Sequence, residues 1–183
     1  MAHLTLENNS ISPITQDIFN STQKALGFVP NMYLKMGNNP ALLDAYTYAY
    51  NSFRANSGFN SVEQEVVFLS VAFENNCEYC MAAHSFVGDM MTKVPAEVTN
   101  AIRDNKLVPD VKLAALSKLT RTLTANRGHA TQEDVDDFLA VGYQETHVLG
   151  IVAGIAVKTL SNYSNHLTHP EVDAAFAGRA WKK

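Results

Sequence analysis

The chain is 183 residues long, 46% hydrophobic and 17% charged, with a formal net charge of -4. This is the size and balance of one globular domain with its own apolar core, and it excludes a disordered or fibrous chain. Its 14 Lys and Arg are scattered with no basic stripe, so no nucleic-acid partner is expected.

In chain order, the sequence predicts helices throughout. A helix is expected over Ile14 to Leu26, after which Gly27, Pro30 and Gly37 predict an irregular stretch, so that residues 1–38 form an N-terminal arm. Met1 to Glu7 shows no cationic segment followed by an apolar run, the pattern of a secretory signal, and a cytoplasmic location is expected. Asn39 and Pro40 supply a cap and a first-turn proline for a helix to about Phe53. Its Tyr46, Tyr48, Tyr50 and Phe53 fit core or subunit contact, or the lining of a pocket. Ser61 to Gln64 has capping-box spacing and opens a strongly apolar helix to about Phe73. Glu74-Asn75-Asn76 interrupts it, and either asparagine is a candidate cap for a helix from Cys77 to near Met91.

Pro95 opens a helix to about Asn105, Asp110 or its neighbour caps a long one running toward Gly128, and Thr131 starts another that Gly142 closes. Gln144 to about Ser161 is the most apolar stretch. Its run Val148 to Val157 is about half the ~20 residues that cross a bilayer, so no membrane partner is expected, and Gly150 and Gly154 suit close packing. His166-Leu167-Thr168-His169 follows as a solvated segment, and Pro170 starts a short terminal helix. No segment alternates with period two, so the expected class is all-α. One domain over 1–183 is expected, with a core at about 39–165 and a tail at 166–183.

The two cysteines sit three apart in Cys77-Glu78-Tyr79-Cys80, which is not how a secreted disulfide scaffold distributes sulfur. A structural bridge over so short a loop would restrict the unfolded chain by only roughly 2 kcal/mol. Redox or metal chemistry is the better use of such a pair. On a helix Cys77, Cys80 and His84 fall at i, i+3 and i+7 and share one face. A first-turn position would favour a thiolate at Cys77.

Glu65 lies in the stripe Val62, Glu65, Val66 and Leu69 and faces inward, whereas Glu63 shares its side with Ser70 and Glu74. A carboxylate on a buried face needs a partner or a raised pKa. Antiparallel packing of the two helices puts Glu65 near the level of His84, which allows a Glu-His-Cys relay. From the residues alone, Glu65 as a structural ion-pair member stays open. So does zinc on Cys77, Cys80 and His84, with His147, His166 or His169 as a fourth ligand. Zinc is disfavoured because all three donors crowd one helix, and no metal or cofactor is expected.

Glu65 followed twelve residues later by Cys77-Glu78-Tyr79-Cys80-Met81-Ala82-Ala83-His84 resembles the alkylhydroperoxidase AhpD-like branch of the carboxymuconolactone decarboxylase family. Gly27-Phe28-Val29-Pro30-Asn31, Asn39-Pro40 and Gly142-Tyr143 add to the likeness, which covers about Leu26 to Phe176. The resemblance implies a compact all-helical domain that assembles into trimers, hexamers or dimers. It also implies a peroxidase whose two cysteines cycle between dithiol and disulfide, with peroxide as substrate and a thiol or protein electron donor.

By that resemblance Cys80 is the sulfur attacked by peroxide, Cys77 its resolving partner, and Glu65 and His84 the proton relay. Helix-dipole reasoning favours Cys77 instead; Cys80 is preferred because His84, one turn later, can act on it directly. One departure stands out: Tyr79 occupies a position where the family has a second histidine. A redox-sensing or interaction subunit, or a decarboxylase-type enzyme, remains the alternative, although a decarboxylase needs no dithiol.

Overall fold

The computed structural model describes residues 3–6 and 11–183, and among these the chain is helical with no strand. Of the N-terminal segment read for a signal, Met1, Ala2 and Glu7 lie outside the described residues. Helix α1 (Pro13–Leu26) starts at Ser12, whose Oγ accepts the Thr15 N–H, and stops at Gly27 in the left-handed region. The stretch after it is not irregular as expected. It contains α2 (Asn31–Met36), whose Met32 and Met36 are buried. Six residues are too few for a helical period to show in sequence. Gly37 closes α2 against α1, where a Cβ would lie 2.6 Å from Phe19 Cζ.

Helix α3 (Pro40–Asn56) is capped by Asn39 and leads through a short turn to α4 (Ser61–Glu74). The capping box of α4 sits one residue earlier than predicted. Asn60 accepts the Glu63 N–H and the Glu63 carboxylate accepts the Asn60 N–H, while Gln64 turns inward to the Phe59 and Arg54 carbonyls.

Helix α4 is the central element, and α5 (Glu78–Val87), α6 (Ala96–Arg103), α7 (Val111–Ala125) and α9 (Glu145–Thr168) all pack on it. Every residue from Glu63 to Phe73 is buried. Burying Val66, Phe68 and Leu69 contributes roughly 1.5–3 kcal/mol each. The single inward stripe expected of α4 is therefore corrected, because a helix enclosed on all sides has no solvent face. Glu63 instead accepts the Tyr143 hydroxyl and pairs with Lys112, and Ser70 bonds Ser117.

Helix α5 runs on through a π turn (Gly88–Thr92), and α8 (Gln132–Ala140) carries a Thr131/Asp134 capping box. Helix α9 extends two turns past the predicted end, so that His166 to Thr168 belong to it. Ser161, Asn162, Ser164 and Asn165, at and just past the predicted end, are all buried. Gly154 lets α9 approach α3 and α4, since a Cβ there would meet Val67 Cγ1 at 2.6 Å and Phe53 Cε2 at 3.0 Å. No single helix among the described residues is long and apolar enough to cross a membrane. The chain ends as a strap with one 3-10 turn (Ala174–Arg179), whose Phe176 packs on Phe28, Tyr79 and Phe86.

Candidate functional site

Two helix faces meet to make the site. Helix α5 presents Cys77, Cys80 and His84, and α9 presents Lys158, Ser161 and Asn165, both sets at i, i+3 and i+7. Packed in opposite senses, they pair rung by rung. Lys158 Nζ lies 2.9 Å from His84 Nε2, Ser161 Oγ lies 3.7 Å from Cys80 Sγ, and Asn165 Nδ2 lies 3.3 Å from Cys80 Sγ and 3.5 Å from Cys77 Sγ. The two sulfurs thus share one amide donor, and both cysteines are free thiols 1% exposed.

The far side of His84 faces α4. His84 Nδ1 is 2.8 Å from Glu65 Oε2, and Glu65 Oε1 is 2.5 Å from the Arg54 guanidinium of α3. Arg54 also donates to the Tyr50 hydroxyl and to Gln64 Oε1 and lies over the Phe68 ring. A continuous polar chain therefore runs Arg54, Glu65, His84, Lys158 through the apolar centre.

Burial opposes ionisation of Glu65, but His84 and Arg54 outweigh it and hold the carboxyl below its usual value. Burial and the Lys158 charge push His84 below its ordinary 6.5 against the opposing pull of Glu65, so the ring is neutral at pH 7. The neutral ring donates Nδ1–H to Glu65 and accepts at Nε2 from Lys158. The cysteines diverge. The hydrogen bond to Cys80, then burial, pushes the Cys77 thiol up. Burial of Cys80 is overcome by the Cys77 hydrogen bond, then by the Lys158 charge and the Ser161 hydrogen bond, which bring its thiol well below the usual range.

The structure thus brings Glu65, Cys77, Cys80 and His84 together, with two corrections. Neither asparagine caps α5: Asn75 closes α4, Asn76 is left-handed (φ 52), and Cys77 itself is the extended N-cap residue. Cys77 and Cys80 thus both sit at the helix start, and the dipole does not single out Cys77. His84 also does not touch Cys80 directly, because Glu65 and Lys158 engage its two ring nitrogens.

Tyr79 takes no part in the chain. Its hydroxyl donates to Asp173 and accepts the Met32 N–H, tying the terminal strap to α5 and α2. Among the described residues no three His, Cys, Asp or Glu side chains gather as a metal site. His166 and His169 border a cleft of about 390 Å³ with Cys77 and Tyr79, and His147 lies at the other end of α9 against Phe59. Of the aromatic run on α3, Tyr46 and Phe53 are core, Tyr50 holds Arg54, and Tyr48 is 77% exposed.

Sequence reasoning missed Arg54, Lys158, Ser161 and Asn165. Lys158 carried the plainest signal: a lysine on the same stripe as Gly150, Ile151 and Gly154 of an apolar helix needs a buried partner.

Neither a protein-family profile nor a curated protein matches the sequence. Solved structures do match the fold. One, described as an alkylhydroperoxidase AhpD core and an uncharacterized peroxidase-related protein from Ralstonia eutropha JMP134, superposes with a TM-score of 0.84 at 20% identity, over 98% of this chain and 97% of that one. An uncharacterized peroxidase-related protein from Silicibacter sp. TM1040 gives 0.82 at 20% identity, over 97% and 95%. The debrominase Bmp8 in complex with 2,3,4-tribromopyrrole gives 0.75 at 18% identity, over 96% of each chain. In fold, this chain matches the AhpD-like proteins.

Proposed function

We propose that the protein is a thiol-dependent peroxidase of the AhpD type, working through the Cys77/Cys80 dithiol. The observation that supports it most is the asymmetry of the pair: two sulfurs share the Asn165 amide, only Cys80 also meets Ser161, and the Cys77 hydrogen bond and then the Lys158 charge lower its thiol while that of Cys77 is pushed up. The Cys80 thiolate attacks a hydroperoxide, the O–O bond breaks, and an alcohol leaves after taking one proton from the relay that Glu65 and His84 belong to. Cys80 is left as a sulfenic acid. The Cys77 sulfur then attacks it, forms the disulfide and releases water.

Two electrons pass from the dithiol to the peroxide, and a dithiol or protein thiol donor returns them. The cleft beside Cys77 gives that donor its approach. The same reading makes the protein a homo-oligomer, for which exposed Tyr48 and Leu149, lining one groove between α3 and α9, offer contact surface.

The Bmp8 neighbour favours a second reading on the same sulfurs, reductive removal of halogen from a carbon, with the dithiol again ending as a disulfide. Turnover separates the readings. Purified protein with an excess small dithiol is given hydrogen peroxide, an alkyl hydroperoxide or a bromopyrrole, and substrate loss is followed. Sustained peroxide consumption supports the peroxidase. A single oxidation per chain points to a redox sensor, and bromide release without peroxide turnover points to dehalogenation.

A further inference from the structure

The buried polar chain holds more positive than negative charge. Arg54 and Lys158 are cations, Glu65 is the carboxylate between them, and the His84 ring is neutral. Lys158 is wholly buried and appears in no ion pair among the described residues. Among the described residues its ammonium meets His84 Nε2 and, at 5.3 Å, the face of Phe68. A lone ammonium in such a place is strongly disfavoured unless a counter-charge stands near it.

Of the groups that interact with the Cys80 end of this cluster, Tyr46 of α3 and Tyr79 of α5 are phenols that burial pushes up, so both are neutral, and the hydrogen bond to Cys80 pushes the Cys77 thiol up as well. Cys80 remains. It sits one turn before His84 on α5, opposite Ser161, which lies one turn after Lys158 on α9.

We propose that Lys158 is the counter-ion of a Cys80 thiolate, so that the buried cluster of Arg54, Glu65, His84, Lys158 and Cys80 is neutral only when Cys80 is ionised. For its use in catalysis this rests on the peroxidase reading. When the thiolate attacks and becomes a neutral sulfenic acid, Lys158 loses its counter-charge. Its ammonium then gives a proton to the departing alkoxide: an N–H bond breaks, an O–H bond forms, and a neutral amine is left. Reduction of the disulfide by a dithiol donor delivers two protons, one to Cys77 and one back to Lys158, as Cys80 returns to thiolate. The cycle closes without a net proton from solvent.

The test uses Cys77→Ser protein, in which Cys80 is the sole thiol, and follows thiolate absorbance and iodoacetamide alkylation against pH. The midpoint is expected below the ordinary thiol value of ~8.5. In Lys158→Met and Lys158→Gln it should rise above that value, with alkylation at pH 7 slowed at least ~10-fold, while Lys158→Arg should restore the low midpoint. Glu65→Gln supplies a second arm. By adding to the net positive charge it should lower the midpoint further.

A midpoint at or above ~8.5 in the Cys77→Ser parent overturns the proposal. So does an unchanged midpoint in a folded neutral Lys158 variant, or a rise in Glu65→Gln. Peroxide turnover is measured separately on the protein with both cysteines. Its absence alongside the expected shifts removes the peroxidase reading and leaves the ion pair, and turnover with no shift does the reverse.

Discussion

Replacing Glu65 by glutamine tests the centre of the polar chain, because no orientation of an amide satisfies both neighbours. Arg54 donates to one carboxylate oxygen and His84 Nδ1–H to the other. A glutamine has one acceptor, so its NH₂ must face either the guanidinium or the imidazole N–H. His84 cannot escape by changing tautomer, since Lys158 already donates to its Nε2.

Removing one partner of a buried pair costs about 3–5 kcal/mol, and the fifth of Arg54 that is exposed, with its Tyr50 and Gln64 bonds, reduces that to about 2–3 kcal/mol. For a chain of this size the melting temperature should fall by roughly 5–10 °C at pH 7. The pH dependence has a definite sign. Glu65 is held below its ordinary 4.5, so its contribution is complete above that pH and is lost as the pH falls through the lower folded value. The gap between the two proteins should therefore close below about pH 4.5. Disulfide formation after a peroxide pulse should also slow by roughly 10²-fold or more. Equal melting temperatures at pH 7, or a gap that widens on acidification, would refute the account of Glu65 as the shared anion.

Other outcomes follow from the same geometry. Cys80→Ser should abolish peroxide consumption, whereas Cys77→Ser should permit one oxidation and give a trappable sulfenic acid; trapping only in Cys80→Ser reverses the assignment. The depressed pKa of His84 means that stability is complete above about 6.5 and declines as the pH falls toward the lower folded value. His84→Gln should flatten that part of a stability profile measured by denaturant titration, and an unaltered slope counts against a buried neutral imidazole. Gly154→Ala should destabilise by about 1–3 kcal/mol, because its Cβ meets Val67 and Phe53 at 2.6 and 3.0 Å; a neutral effect in thermal melts shows that α9 can move away at little cost.

Features that depend on near neighbours in the chain are legible in the residues. Helical period, Asn39-Pro40, Asp110 and Thr131 caps and the Gly27 and Gly142 stops mark most of the helices, because capping and turn geometry are settled within a few residues. The one-face spacing of Cys77, Cys80 and His84, and the inward register of Glu65, are likewise local.

Tertiary structure decided what α9 brings across. Lys158, Ser161 and Asn165 lie 74 to 88 residues beyond the α5 groups they meet, and no local pattern specifies that register. It also decided that Ser161 to Asn165 stay helical, because their polar groups are used inside the core. Glu63 and Ser70 of α4 are buried for a similar reason: other helices cover every side of that helix. The two cysteines diverge first through the hydrogen bond between them, which is local, and then through the Lys158 charge, which only the packing of α9 brings near Cys80.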